Sequence, residues 1–391
     1  MNAIGMYIFG GSQSIGHLQT GFKIDRILEM TNDMHENNSY HFIKNYPDIP
    51  VILPKDWWNA DYLNELSKNK YDLLFANNPC SGLSQINKNA NVNQPINNKF
   101  YDVFNVIEKL QPKVFLIENA PTTVTTGTPI LQNMVKQLWK DYYFTIIRDM
   151  AGNHGVAMKR MRTLILGWNK NTFSHIPIVK MNKQAPTYVK DVLYANGGNN
   201  LEFESNRHWS NLEKYYDLVE TDSSVLRTCC KHKETMEKDF NEIEKKATTT
   251  ALAKFAEGKN IWDKSPWRIS DDKQCMSITS VSEFIHPKEN RDFYIREYAR
   301  LMGYPEDFIF YPNECKCKTI QCIAQGVPVN FIKYISSEIK TILEGNYNYI
   351  EDANITFQHH IQEKLYKFKV KDFLDLECLN KYNGEYQKLN Q

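Results

Sequence analysis

The chain has 391 residues, 42% hydrophobic and 24% charged, which suits two globular domains or one large domain with insertions. Its net charge of +1 neither demands nor excludes a nucleic-acid partner, because a basic stripe can be balanced elsewhere. No apolar run reaches membrane-spanning length and no basic-then-apolar leader is present, so no membrane is expected; the eight scattered cysteines read as thiols of a reducing cytosol.

Apolar runs and helix-period segments alternate through the first 170 residues. Strands are predicted over 4–9, 24–28, 71–76, 113–117, 143–148 and 163–168, with helices beginning at 17 and spanning 41–45, 100–110 and 130–139. This βαβ rhythm predicts an α/β fold, a doubly wound sheet with helices on both faces. The rhythm stops between about 173 and 275, where a polar loop (194–206) precedes a charged helical stretch (234–254). Compact structure is expected to resume at 267–269 and 277–279, then in helices over 294–302 and 329–343. The tail from about 346 is charged and aromatic, with helical character over 357–373. The Asn- and Lys-rich stretch 85–98 reads as a mobile polar loop.

Two strand ends carry the chemistry. Asn78-Pro79-Cys80-Ser81 follows one buried run and Glu118-Asn119-Ala120-Pro121 another, so a thiol and a carboxylate stand at C-terminal strand tips, where open α/β sheets bind ligands. A free cysteine is commonly a small buried hydrophobe, but the Pro-Cys-Ser-Gly setting favours a presented nucleophile. Burial of Glu118 after an apolar run would raise its pKa and suit it to proton donation. Phe9-Gly10-Gly11-Ser12 after the first strand, with Glu29 ending the second, fits a nucleotide-type cofactor or a plain tight turn equally. Alternation puts Arg160 and Arg162 on one side of the chain, either along a solvated edge or fanned toward one pocket. Cys315, Cys317 and Cys322 match no standard zinc spacing and read as ordinary thiols; His286 and the pair His359-His360 make no stronger claim as ligands. A cysteine hydrolase would need a histidine base, and His154 is not in a recognisable dyad with Cys80.

Taken in order over roughly 4–343, these pieces resemble the cytosine-C5 DNA methyltransferase family. The match runs through Phe9-Gly10-Gly11-Ser12 with Gly16, Pro79-Cys80 with Gly82-Leu83-Ser84, Glu118-Asn119, Gly155 through Arg162, Arg296 through Pro305, and Gln325-Gly326-Val327-Pro328. The chain departs from the family at Asn78 and Ser81 (usually Pro and Gln), Ala120 (usually Val), Met158 (usually Gln) and Gln325 (usually Asn), and its first motif is one residue short of the usual glycine pattern.

The resemblance implies a Rossmann-like methyltransferase sheet with a smaller, mixed target-recognition domain. It implies a catalytic and cofactor domain at 1–172, the target-recognition domain at 173–317, a returning motif and helix at 318–345, and an extension of unknown role at 346–391. The implied catalytic residues are Cys80, Glu118, Arg160 and Arg162, with Arg162 on the cytosine O2 side and Arg160 on the flanking phosphate. Phe9, Gly10, Gly11, Ser12, Glu29, Asp56, Pro79, Gln325 and Val327 would hold S-adenosylmethionine, and Asn119 and Ser84 would meet the substrate, with no metal. The implied partner is double-stranded DNA, bound by a cytoplasmic monomer that has a cognate restriction enzyme in some settings. An RNA (tRNA) methyltransferase and a catalytically weak DNA-binding homologue are the alternatives.

Overall fold

A computed structural model of the chain describes residues 1–33, 39–84, 87–194, 267–279, 284–288, 293–310 and 316–389. In chain order its elements begin β1 (Asn2–Met6), α1 (Ser12–Gln19), β2 (Lys23–Leu28), α2 (Tyr40–Asn45), β3 (Val51–Ile52), α3 (Pro54–Trp57), α4 (Ala60–Leu66), β4 (Leu73–Asn77) and α5 (Asn98–Leu110). There follow β5 (Val114–Asn119), α6 (Thr128–Leu138), β6 (Tyr142–Met150), β7 (Met158–Lys159), β8 (Met161–Asn169), β9 (Ile176–Pro177), α7 (Val189–Leu193), β10 (Trp267–Arg268), β11 (Cys275–Met276) and β12 (Phe284–Ile285). The chain ends with α8 (Ile295–Leu301), α9 (Lys316–Gln325), α10 (Val329–Leu343), β13 (Tyr349–Ile350), β14 (Ile355–His359), β15 (Lys364–Phe368), α11 (Val370–Leu374) and β16 (Gln387–Lys388).

Ten strands form one sheet in the order β16-β15-β14-β6-β8-β5-β4-β1-β2-β3. From β3 to β5 every pairing is parallel, and β8 enters antiparallel between β5 and β6. Strand order reverses between β1 and β4. The crevice beyond the carboxyl ends of those two strands is therefore the topological switch point where such sheets take ligands. The glycine turn leaves β1 there, and the Pro-Cys loop leaves β4.

Strand periodicity explains the apolar runs. Leu73 and Phe75 of β4 join the core on the face covered by α1 and α10, while Leu74 and Ala76 join the core on the α5–α6 face. A strand buried on both faces has no polar alternation to show. Helix α10 packs on α1 so closely that a Cβ at Gly16 would stand 2.6 Å from Ile332 and 3.1 Å from the Lys333 nitrogen. That contact returns the last motif to the start of the chain.

Several expectations shift. The first strand ends at Met6 rather than 9, because Tyr7 and Phe9 take left-handed backbone (φ 58° and 47°) that no strand continues. Helix α1 starts at Ser12, five residues earlier than expected, because the Gly11 carbonyl already accepts the Ile15 N–H at 2.9 Å. Residues 277–279, where compact structure was expected, directly follow β11, and Ile278 is buried. The tail is the largest difference. Only the end of its 357–373 span is helical, in α11; β14 runs parallel to β6, and β15 and β16 extend the sheet beyond it. Phe357, Phe368 and Phe373 are buried there, and Gln132 of α6 donates to the carbonyls of Phe373, Leu374 and Leu376 at 3.3, 2.9 and 2.8 Å. The expected helix at 234–254 and most of the 194–206 loop lie outside the described residues, as do Cys229, Cys230 and Cys315.

Candidate functional site

The Pro-Cys loop is held by amides. Cys80 accepts the Leu83 N–H at 3.0 Å to close a turn, Asn78 donates to the Lys99 carbonyl at 3.0 Å, and Asn119 donates to the Asn78 carbonyl at 3.0 Å. The Asn119 oxygen in turn accepts the Ala120 N–H at 2.9 Å and the Thr123 hydroxyl at 3.1 Å. Asn119 thus ties the two strand ends together rather than standing open to a ligand. The stretch expected to be a mobile loop is likewise stitched down over its described part. Asn87 donates to the Ser81 carbonyl at 2.9 Å, Asn91 N–H to Gly82 at 3.0 Å, and Asn97 to Asn91 at 2.9 Å. Asparagine amides imitate backbone turns, which is why an Asn-rich stretch folds back on itself here. Ser84 is half-buried at the edge of this knot, and its carbonyl accepts the Asn87 N–H at 3.0 Å.

Cys80 is partly exposed and forms no disulfide. Glu118 is buried in β5, in register with Asn77 of β4 and Leu164 of β8. Arg162 of β8 brings its Nε to 2.6 Å from Glu118 Oε1, yet that oxygen accepts no well-directed hydrogen bond. The pair is an ion contact whose acceptor directions stay open. Burial raises the Glu118 carboxyl above its ordinary range, against the lowering charges of Arg162 and Arg160. Burial also pushes the Cys80 thiol up, with Arg162 pulling it down and Glu118 pushing it further up. At rest the thiol keeps its proton.

Arg160 has a different place from the one that alternation implied. It sits in the break between β7 and β8, where its own N–H turns back to the Met158 carbonyl at 3.0 Å, so the period of two fails. Its side chain is buried and donates through Nη1 to Ile278 O at 2.7 Å and through Nη2 to Ala324 O at 2.5 Å and Gly326 O at 2.8 Å. Burial lowers its pKa to about 9, helped by Arg162 and opposed by Glu118, so it remains charged at neutral pH. Both arginine charges bear on Cys80 and Glu118, but only Arg162 makes an ion contact with Glu118.

The glycine turn is packed from behind. A Cβ on Gly10 would come within 2.8 Å of Cys322 Sγ and the Tyr304 hydroxyl, and one on left-handed Gly11 (φ 84°) within 2.2 Å of the Phe42 ring. Tyr304 donates to the Gly10 carbonyl at 3.3 Å, and Ser12 Oγ accepts the Val327 N–H at 3.1 Å. Glu29 follows β2 and is buried. Its carboxylate accepts the Ile8 and Met30 N–H groups at 3.3 and 3.0 Å, and its carbonyl accepts the Trp57 indole at 2.9 Å. Burial pushes its pKa to about 7. Phe9, Pro79 and Val327 are buried and Gln325 is half-buried at the end of α9, whereas Asp56 is exposed on α3. Asp56 is the one expected cofactor residue that faces solvent.

One feature was invisible in the sequence. Gln13 and Ser14, in the first turn of α1, are fully buried, and neither the Gln13 amide atoms nor the Ser14 hydroxyl has a hydrogen-bond partner. An orphaned buried polar group costs about 1–3 kcal/mol, so such a pair beside a ligand crevice calls for a ligand. Their adjacency to the glycine turn was the only available signal. With the Glu29 carboxyl at the next strand end, this donor set fits a ligand that carries both hydroxyls and an amino-acid group, as S-adenosylmethionine does.

The sheet order, the glycine turn at the end of β1 and the acid at the end of β2 define a doubly wound methyltransferase fold. More narrowly, the profile of the family described as C-5 cytosine-specific DNA methylase matches residues 10–341, and the chain belongs to that family. It is 23% identical to the type II methyltransferase M.DdeI of Desulfomicrobium norvegicum over 93% of this chain and 94% of that protein. It is 24% identical to the type II methyltransferase M.FnuDI of Fusobacterium nucleatum, covering 88% of this chain and 95% of that one. Among solved structures, a putative DNA modification methyltransferase of an E. coli prophage shares the fold with a TM-score of 0.63 at 22% identity, over 88% of this chain and 99% of that one. The Entamoeba histolytica methyltransferase EhMeth shares it with a TM-score of 0.57 at 13% identity, over 88% of this chain and 98% of that one.

Proposed function

We propose that the protein is a DNA (cytosine-5-)-methyltransferase that transfers a methyl group to C5 of a flipped-out cytosine through a covalent Cys80 adduct. The observation that carries this reading is the Cys80–Glu118–Arg162 cluster: a partly exposed thiol near a buried carboxyl whose Oε1, 2.6 Å from Arg162, has no directed hydrogen bond. A cytosine edge offers the missing donor. The target atoms are stacked inside a duplex, so the base must leave the helix to reach this cluster.

Cys80, partly exposed, gives its proton to solvent and its sulfur bonds to C6, which saturates the 5,6 bond and makes C5 enamine-like. Glu118 takes the N4 hydrogen bond and delivers its proton to N3, offsetting the negative charge that attack would create. Its raised pKa keeps that proton available, and Arg162 completes the polar wall on the O2 side. S-adenosylmethionine, held by the glycine turn, Glu29, Gln13 and Ser14, supplies an electrophilic methyl group when bound. With the methyl group on C5, loss of the C5 proton to solvent restores the 5,6 double bond and expels the Cys80 thiolate, and N3 returns its proton to Glu118.

Sequence reading falls to the 173–317 span, where the strand–helix alternation stops, and the 346–391 extension serves the fold by widening the sheet. The type II methyltransferase names of the relatives fit a modification role, and the reading places the protein in the cytoplasm beside a cognate restriction enzyme. No helix among the described residues is long and apolar enough to cross a membrane.

Incubation with labelled S-adenosylmethionine and mixed-sequence DNA, then bisulfite sequencing, should reveal 5-methylcytosine. Cys80→Ala should abolish it, and a 5-fluorocytosine duplex should trap a covalent adduct on wild type but not on Cys80→Ala. Persistent methylation by Cys80→Ala would sink the mechanism.

A further inference from the structure

We propose that Arg160 is a positioning residue, a strap that couples the cofactor turn to the target-reading span, and that it contacts no DNA phosphate. The inference rests on the methyltransferase reading for the identity of the two ligands, but its geometry stands apart from the chemistry.

The guanidinium joins segments far apart in the chain. Nη1 holds the carbonyl of Ile278, just beyond β11, and Nη2 holds the carbonyls of Ala324 and Gly326, on either side of Gln325. The next residue, Val327, donates its N–H to Ser12 at the head of α1. Nothing in this chain of contacts is loose: a Cβ on Gly326 would lie 2.3 Å from Ser12 Oγ. A displacement at Ile278 is therefore passed through one rigid planar group to Gly326 and on to the residue that follows the glycine turn.

Arginine suits this task because its fork is planar and stays charged, and three carbonyl dipoles offset its burial. The three carbonyls take three of the five guanidinium N–H donors and the buried Nε has no partner, so a phosphate that claimed both Nη2 hydrogens would break two of those bonds and orphan the buried carbonyls of Ala324 and Gly326. Lysine would keep the positive charge but could not hold three carbonyls on two sides of a plane.

The coupling is measurable as a ratio of affinities and is reciprocal. The dissociation constant of a DNA duplex is measured with and without saturating S-adenosylhomocysteine, and that of S-adenosylhomocysteine with and without DNA, over a salt series. Wild type should bind both, each tightening the other at least about fivefold, the lower end of ordinary allosteric coupling. In Arg160→Lys that ratio should fall toward one, and in Arg160→Gln, which removes the charge, the salt slope of DNA binding should stay unchanged. Ser12→Ala, which cuts the far end of the strap, should lower the ratio as well, and it serves if Arg160→Lys does not fold. A salt slope reduced by about one in Arg160→Gln, which removes the charge, would mark a phosphate contact and overturn the proposal. So would an absence of coupling in wild type, or full coupling in both Arg160→Lys and Ser12→Ala. Failure of wild type to bind either ligand would instead overturn the methyltransferase reading, and the strap with it.

Discussion

The two halves of the ligand crevice use their polar groups in opposite ways. On the β4–β5 side, amide N–H groups are consumed in holding geometry: those of Asn78, Asn119, Asn87, Asn91 and Asn97 donate to backbone carbonyls, while Glu118 Oε1 at the ion pair, like the side-chain oxygens of Asn78 and Asn97, accepts no hydrogen bond. On the β1–β2 side the charged group is the satisfied one, since Glu29 already holds two backbone N–H groups, and the neutral Gln13 and Ser14 go without partners. Buried polar atoms without partners mark where each half waits for its ligand, and they are not always the atoms that a motif names. On the first side the waiting atom is an acid; on the second it is an amide and a hydroxyl.

Removing the acid should have the largest effect. Glu118→Gln keeps the shape but cannot give up a proton, and loss of a general acid costs roughly 10²–10⁴ in rate. The pH profile separates this from simple misplacement. In wild type the reactive form needs Glu118 protonated and Cys80 ionised, both with raised pKa values, so the single-turnover rate should be nearly flat between the two titrations. In Glu118→Gln only the thiol titrates, so the rate should climb roughly tenfold per pH unit across neutrality. A flat profile in the variant would deny Glu118 the proton.

The other half is probed by Gln13→Leu, which removes both orphaned amide atoms. Without ligand the variant should unfold at a higher temperature than wild type, because a buried unpaired amide has been replaced by an apolar group. With ligand it should bind S-adenosylhomocysteine about tenfold more weakly, as expected when a hydrogen-bonding site is left without its partner. The two signs must appear together in thermal melts and calorimetric titrations. A loss of stability without ligand would mean that Gln13 is already satisfied.

How far each half could be read from the sequence follows from the same contrast. Cys80 and Glu118 were legible because β4 and β5 are buried on both faces, and unbroken apolar runs end abruptly at those residues. Glu29 was legible from its place at the end of the second strand, although β2 itself carries Asp25 and Arg26. Arg160 was not, because its direction depends on a break between β7 and β8 that alternation cannot foresee, and on carbonyls more than a hundred residues away. The short α3 was missed because Pro54-Lys55-Asp56-Trp57 shows no apolar period, and the tail was read as helical because its strands are short and separated by a tight turn. Gln13 could not be read at all: having no partner is a property of the assembled structure, not of the residue.

A further effect is expected on stability, and it isolates Glu29. Its carboxyl titrates near 7 in the folded protein against an ordinary value of 4.5, so the folded state holds the proton more tightly than the unfolded chain. A raised carboxyl contributes its full stability below the unfolded pKa, and that contribution is lost as pH rises through the folded value. The window is thus about pH 4.5 to 7, and a shift of this size corresponds to on the order of 3 kcal/mol. Urea unfolding at pH 5 and pH 8 should show wild type losing stability relative to Glu29→Gln, whose neutral amide has no proton to lose. Ribose hydroxyls donating to Glu29 would favour its ionised form, so S-adenosylhomocysteine should stabilise wild type more at pH 8 than at pH 5, while Glu29→Gln should show little of that difference. Equal pH slopes for wild type and variant would remove Glu29 as the titrating group and leave the β1–β2 half with its neutral donors alone.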